Sequence, residues 1–241
     1  MLNEAENLSE LYSRLTATLT TLRRPFELML VDDGSSDATP VLLKELAEQD
    51  PRVRVLRLDR NYGQHAALMA GLRHAHGAVV VTLDADLQTP PEAIPLLLAT
   101  LDNDFDVVFG VFHQPVHPPL QRSLSWIGHA VLERVLGLPR DVSFSPFRAL
   151  TRPVVDRLTE CTDSPVQLET LLTRCASKMG AVPVRHQPRR AGETKYTLRR
   201  RLRFAFNLVH GLCGLRHNGG APQPQYIIAE RRGFPGGAIP R

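Results

Sequence analysis

The sequence predicts an α/β domain: an open, mostly parallel sheet with helices on both faces. Three observations predict it. Residues 26 to 111 alternate short apolar runs with segments of helical periodicity, the rhythm of a doubly wound fold. The apolar runs end in polar turns, Asp32-Asp33-Gly34-Ser35-Ser36-Asp37, Asp59-Arg60-Asn61-Tyr62-Gly63 and Asp84-Ala85-Asp86, as strands do at the ligand-binding edge of such sheets. The length of 241 residues with 43% hydrophobic content fits one domain with a substantial core and not clearly two.

The elements follow in order. Leu8, Leu11, Leu15, Leu19 and Leu22 recur at helical spacing and predict a helix over residues 4 to 24, with Glu4 and Glu6 in its first turn. No strand is read ahead of that helix. Phe26 to Val31 reads as a short buried strand, and Thr39 as the cap of a helix with Pro40 at its first position, running to about Gln49. Arg52 to Leu58 is a strand by alternation, and Gln64 to His74 a helix whose Ala66, Ala67, Ala70 and Gly71 permit close packing. His65, His74 and His76 share no metal spacing with the acids and read as surface positions. Ala78 to Leu83 is an apolar run of the kind buried on both faces, and Asp84 and Asp86 follow at its carboxyl edge. A helix from Glu92 to Leu101 and a strand from Phe105 to Val111 close the repeat. Beyond it, residues 120 to 138 read as an amphipathic helix around Trp126, residues 142 to 150 as partly extended, helices start at Pro153 and Pro165, and Ala181 to Val184 is a short strand. Residues 198 to 212 mix apolar positions with Arg199, Arg200, Arg201 and Arg203 as an interfacial helix does. From Cys213 onward Gly, Pro and Arg dominate, and the tail to Arg241 is expected to be disordered.

Charge and cysteine content bound the function. The net charge is +4, and residues 185 to 203 concentrate it, with Glu193 the single acid among them. Such a block suits phosphate on a nucleotide, a nucleic acid or an anionic membrane, or is simply a solvated helix face. A nucleic-acid role is disfavoured because no recognition motif is present and the aspartate pairs would repel a backbone. The three cysteines lack metal-ligand spacing and read as thiols of a reducing compartment. No run of about 20 apolar residues is present. Neither G-x-G-x-x-G after the first readable strand nor G-x-x-x-x-G-K occurs, so a nucleotide would be held by carboxylates and a metal. Paired aspartates one residue apart relieve their repulsion most directly on a divalent cation, and all-oxygen ligands favour Mg²⁺ or Mn²⁺ over zinc. Asp32 and Asp33 can accept hydrogen bonds from a ribose or base; the competing reading is an acidic turn that caps a helix.

The segments NEAENL (3 to 8), VDDGSSD (31 to 37), DRNYGQHAALMAG (59 to 71), LDADLQTPPEAIP (83 to 95), DVV (106 to 108), FRAL (147 to 150) and GETKY (192 to 196) together resemble family 2 glycosyltransferases of the GT-A fold. Within them the chain is most similar to polyprenyl-phosphate sugar transferases, the undecaprenyl-phosphate 4-deoxy-4-formamido-L-arabinose transferases in particular, with dolichyl-phosphate mannose synthase in the same group. The resemblance covers residues 3 to about 210. It implies a nucleotide-sugar site of Glu4, Asp32, Asp33, Arg60, Asn61, Gly63, Asp84, Lys195 and Tyr196, and a metal pair of Asp84 and Asp86. Arg122 and Arg148 are implied for the acceptor phosphate, and Asp86, Gln88, Arg148 and Lys195 for catalysis. The implied partners are a UDP-sugar, a polyprenyl phosphate and an anionic membrane surface, with Mg²⁺ or Mn²⁺ as cofactor and no nucleic acid; a homo-oligomer is left open. The implied activity is metal-dependent sugar transfer to undecaprenyl or another polyprenyl phosphate, with inversion, at the cytoplasmic membrane face. Two alternatives are a soluble or polysaccharide acceptor and a truncated, inactive nucleotide- or membrane-binding remnant. The second arises because relatives carry a strand ahead of the first helix, so the first strand of the fold is expected to be missing here. The domain is expected to span residues 1 to 212, with 113 to 212 its acceptor and membrane-proximal part and 213 to 241 a tail.

Overall fold

The computed structural model describes residues 1–112, 145–160, 168–185 and 226–234. The first helix, α1 (Ala5–Thr21), buries Leu8, Leu11 and Leu15 along one stripe, as their spacing requires. Strand β1 (Leu28–Asp32) follows and pairs in parallel with β2 (Val53–Leu58), the two being linked by α2 (Thr39–Gln49). The helix α3 (Gln64–His74) leads into β3 (Val79–Thr82), and α4 (Ile94–Leu101) into β4 (Val107–Phe112). Then come β5 (Arg148–Thr151), α5 (Arg152–Glu160), α6 (Leu168–Cys175), β6 (Met179–Val184) and β7 (Ile228–Arg232).

The strands form two sheets, ordered β1-β2-β7 and β3-β5-β4-β6. The α/β class and the strand-then-helix order agree with the sequence, but the sheets are mixed. β1 with β2 and β4 with β6 are parallel, whereas β3 with β5, β4 with β5 and β2 with β7 are antiparallel. The reason is that β5 inserts between β3 and β4 with reversed direction, a pairing of sequence-distant segments that local periodicity does not encode. One apolar cluster joins α1, β1 and β2 to α4, β4, β5 and β6 through Leu8, Leu30, Val55, Leu97, Val108, Ala149 and Val182. A second, on the other face, joins α3, α5 and α6 through Met69, Val155 and Leu172.

Three local expectations are corrected. Thr39 is not the cap of α2: its hydroxyl accepts the Glu4 amide at 2.9 Å, and the Asp37 carboxylate accepts the Thr39 amide at 3.0 Å. The Asp37 carboxylate closes the turn on the Thr39 amide, which releases the threonine hydroxyl to tie the start of α1 to α2. Val79, Val80 and Val81 are half-buried instead of enclosed on both faces. Among the described residues their strand pairs with β5 alone, so an apolar run here reports β propensity more than full burial. The expected disordered tail contains β7, which pairs with β2, while the Asp59 amide donates to the Ile227 carbonyl at 3.1 Å. Ile227-Ile228 with the neighbouring Tyr226 supplies what a Gly- and Pro-rich composition conceals; Tyr226 is buried and its hydroxyl accepts from Arg73 Nη1 at 2.9 Å.

Candidate active site

The polar turns converge because of strand direction and register. β1 and β2 run in parallel, so Asp32 and the residues after Leu58 leave at the same edge. β5 enters where β3 leaves, which sets Arg148 directly across from Thr82, two residues before Asp84. The buried amine of Met1 marks the meeting point. Burial pushes its pKa down, and the negative charges of Asp33, Asp32, Asp84 and Glu4 oppose that effect, while Gly63 and Gln64, adjacent in sequence, bond to Asp33 and Asp84 and tie the two acidic turns together.

The first acidic turn is built to hold other loops. Asp32 is 0% exposed; one carboxylate oxygen accepts the Ser35 amide at 3.0 Å and the other lies 3.4 Å from Nε of Arg57, its register partner in β2. Asp32 thus braces the turn from a buried position. Asp33 accepts the Tyr62 amide at 2.8 Å and the Gly63 amide at 2.9 Å, one on each carboxylate oxygen. Burial raises its pKa, and these two hydrogen bonds oppose the rise. This clamp fixes Arg60, Asn61 and Gly63 above the site, with the Arg60 guanidinium 4.9 Å from the Tyr62 ring centroid. Gly34 permits the contact: a Cβ there would fall 2.4 Å from the Arg60 carbonyl carbon, and its φ of +73° is strained for any side chain. Asn3 and Glu4 close the outer side, where the Asn3 amide donates to Ser35 Oγ at 2.8 Å and the Asn3 side-chain oxygen accepts the Ser36 amide at 3.0 Å. The Glu4 carboxylate accepts from Asn7 Nδ2 at 2.7 Å.

The second turn carries Asp84, Asp86 and Gln88. Burial pushes the Asp84 pKa up, the charge of Asp86 adds to the rise, and a 2.8 Å hydrogen bond from Gln64 Nε2 opposes it. Asp86 accepts the Gln88 amide at 3.1 Å. Between them Leu87 adopts a φ of 60° and is buried in the core, so an apolar anchor holds the turn in a conformation that disfavours leucine. Among the described residues no group of three or more His, Cys, Asp or Glu side chains is arranged to hold a metal ion.

The positive side of the site comes from Arg148, whose residue is 1% exposed. Its Nε is 3.4 Å from Thr82 Oγ1, Nη1 is buried without a hydrogen-bond partner, and Glu169 Oε1 lies 3.9 Å from Nη1. Burial pushes the Arg148 pKa down, against the opposing charges of Glu169 and Asp84. Sequence reasoning missed two residues here. Gln64 lay inside the DRNYGQHAALMAG segment, where its place at the start of a helix directly after a strand-edge loop was the available signal. Glu169 lay in a helix with no motif. His65 also departs from its surface reading: burial lowers its pKa, Glu169 raises it and Arg148 lowers it, so the ring sits within their field. Arg122, Lys195 and Tyr196, together with the helices read at 120 to 138 and 198 to 212, lie outside the described residues.

Comparison with known proteins gives a consistent result. Residues 1–158 match the family model described as glycosyl transferase family 2. Proteins of Salmonella paratyphi A and Salmonella choleraesuis named undecaprenyl-phosphate 4-deoxy-4-formamido-L-arabinose transferase are 38% identical over 208 residues, covering 86% of this chain and 64% of theirs. The chain thus spans under two thirds of the length of these curated relatives. Glucosyl-3-phosphoglycerate synthase from Mycobacterium tuberculosis, in complex with phosphoglyceric acid, superposes with a TM-score of 0.60 at 19% identity, over 91% of this chain and 79% of that one. A mannosyltransferase from Pyrobaculum calidifontis, in complex with GDP-Man and Mn²⁺, gives 0.59 at 22% identity, over 93% and 64%. Both likenesses concern the GT-A fold.

Proposed function

Because this chain belongs to glycosyl transferase family 2, we propose that it transfers a sugar from a UDP-sugar to undecaprenyl or another polyprenyl phosphate, with inversion at the anomeric carbon. The observation that carries the reading is the meeting of opposite charges where strand ends of the two sheets come together: two acidic turns, linked through the Tyr62-Gly63-Gln64 segment, and a buried arginine whose Nη1 has no hydrogen-bond partner. The relatives' name supports a lipid-phosphate acceptor and, as the sugar, 4-deoxy-4-formamido-L-arabinose.

The nucleoside half of the donor is assigned to the surface that Asp33 organises, the loop of Arg60, Asn61 and Gly63, with Glu4 at its rim. Lys195 and Tyr196 are assigned to the donor as well, on the resemblance of GETKY alone. The carboxylates of Asp84 and Asp86 fit a divalent cation. Both are oxygen donors, and Asp84 is a carboxylate whose burial and acidic neighbour disfavour its charge, a cost that bound Mg²⁺ or Mn²⁺ would offset. When bound, the cation supplies Lewis-acid stabilisation of negative charge on the donor pyrophosphate. Two carboxylates suffice in such sites because substrate phosphates and water complete the coordination.

The acceptor phosphate is assigned to Arg148, with Arg122 as the second basic residue. Its oxygen is already anionic near neutral pH, so attack on the anomeric carbon needs little help from a base. The new bond joins phosphate oxygen to that carbon, the bond from the carbon to the UDP oxygen breaks, and its electron pair leaves on UDP. Arg148 offsets the repulsion between two anionic substrates, and a preorganised charge of this kind contributes several kcal/mol to such steps, as an order of magnitude of roughly 3. Gln88, whose amide donates to Asp86, is assigned to the transferred sugar on the resemblance alone. No helix among the described residues is long and apolar enough to cross a membrane. The protein is assigned to the cytoplasmic membrane face because its proposed acceptor resides in the lipid.

The test is incubation with radiolabelled UDP-sugars, polyprenyl phosphate in detergent, and Mn²⁺ or Mg²⁺, followed by organic extraction. Label entering the organic phase, and its loss on chelation, is the expected result. Retention of all label in water across the donor panel would overturn the proposal, and transfer to soluble acceptors at equal rate would redirect it to another acceptor class.

A further inference from the structure

Arg148 is a fixed positive charge where such charge is costly. A guanidinium has five N–H donors and keeps its proton, so burial penalises every donor left empty. Among the described residues Nε reaches Thr82 Oγ1 at a marginal 3.4 Å, and Nη1 is buried without a hydrogen-bond partner. The carboxylate of its ion pair, Glu169 Oε1, stands 3.9 Å from Nη1, close enough for charge attraction and beyond hydrogen-bond length. The same chain builds closed ion pairs elsewhere. Arg52 Nε and Nη2 donate to Asp50 at 2.9 and 2.8 Å, so the open geometry at Arg148 is a property of that place.

The setting explains how Glu169 is held there. It lies in the first turn of α6, where a carboxylate is stabilised by the helix dipole. That helix is fixed by Leu168, Leu171 and Leu172, which pack with Val154, Val155 and Leu158 of α5, and by Arg157 Nε, which donates to the Cys175 carbonyl at its C-terminus at 2.9 Å. Unlike Arg148, the Glu169 side chain retains 19% exposure, so it has water to turn toward.

We propose that Glu169 is a displaceable counter-ion that keeps Arg148 neutralised in the free protein and yields it to the phosphate monoester of the acceptor. The phosphate oxygens take the N–H groups that Glu169 leaves open, and the carboxylate turns to solvent. Glu169 acts through Arg148 and is a positioning residue. The inference rests on the acceptor-phosphate reading of Arg148.

The experiment compares the full chain with Glu169→Gln and Glu169→Asp in two assays: inorganic phosphate binding by calorimetry, and lipid-linked product formation with acceptor and donor varied separately. Removing the charge should tighten phosphate binding and lower the acceptor KM, each about tenfold, the order of one charge interaction at a partly solvated site. The donor KM should stay unchanged, and Glu169→Asp should return both values toward wild type. Unchanged or weaker phosphate binding in Glu169→Gln, or a joint rise of both KM values, would overturn the counter-ion role. Should Glu169→Gln not fold, phosphate must still raise the melting temperature of wild type and not of Arg148→Met; equal shifts would overturn it too. If wild type forms no lipid-linked product, the transferase reading fails, while the phosphate-binding arm still decides the role of Glu169.

Discussion

Replacing Arg148 by methionine separates its contribution to function from its contribution to stability. A residue 1% exposed, with Nη1 unpartnered and its other contacts at 3.4 and 3.9 Å, recovers little of what its desolvation costs. Methionine preserves most of the aliphatic stem and removes the charge. Replacing a buried ion pair by apolar groups of similar volume stabilises proteins by up to about 1–4 kcal/mol, and the opposing cost of stranding one partner, about 3–5 kcal/mol when it is buried, shrinks where that partner reaches water. The lower half of the stabilising range applies, because Glu169 loses a counter-ion but keeps access to water. A gain of about 1–2 kcal/mol corresponds to a rise in melting temperature of roughly 2–8 °C for a chain of this size. Turnover should fall by about 100-fold or more, since two anions would then approach without the fixed positive charge between them. Differential scanning fluorimetry and the organic-extraction assay read the two effects on the same preparation. A variant that melts several degrees lower than wild type would refute the reasoning, because Arg148 would then be a structural residue. So would a variant that is more stable and fully active.

Three further predictions address the frame around the site. Asp33→Ala removes the acceptor for the Tyr62 and Gly63 amides; UDP affinity measured by calorimetry should fall about tenfold or more, as expected of lost charge-assisted hydrogen bonds worth about 1.5–3 kcal/mol, and an unchanged Kd would remove the clamp from the donor site. Asp50 accepts from Arg52 and Tyr12, and the Arg52 hydrogen bonds hold its pKa far below the usual carboxylate range. A depressed folded pKa stabilises above the unfolded pKa of about 3.9 and loses that contribution as pH falls through the folded value. Asp50→Asn should therefore lower the unfolding midpoint in urea at pH 7 and approach wild type as pH drops below about 4, whereas a pH-independent difference would show that the charge is irrelevant. Gly110→Ala places a Cβ 2.3 Å from Cδ1 of Phe147, the residue before Arg148; overpacking of this kind costs about 1–3 kcal/mol, and Phe147→Leu in the same chain should restore part of it in a double-mutant cycle, which additive losses would contradict.

The legibility of the site follows the range of the interactions that build it. Strand ends and the acids after them are adjacent in sequence, so Asp32, Asp33, Asp84 and Asp86 could be assigned to one edge from apolar runs and turns alone. Their division of labour could not. Whether a carboxylate faces a ligand or braces a turn depends on partners such as Arg57 for Asp32, and the amides of Tyr62 and Gly63 for Asp33, fixed only by strand register and loop contact. Arg148 was found through its FRAL segment, but its burial comes from β5 entering antiparallel between β3 and β4, a pairing of distant segments without a local signal. Glu169 was invisible for the same reason, since a helical glutamate in a first turn has an adequate local explanation in the helix dipole. The strand β7 was hidden by composition: its residues pair with β2 within a stretch whose glycines and prolines suggest disorder. The same distinction bears on mechanism. The acidic half of the site is completed when β1, β2 and the loop before α3 come together, through Arg57, Tyr62, Gly63 and Gln64. The positive half exists only once β5 and α6 have packed, because Arg148 and Glu169 approach each other through two separate elements. Substitutions that loosen the packing of α5 against α6 should therefore impair acceptor use before donor binding, an order that a site built as one local unit would not show.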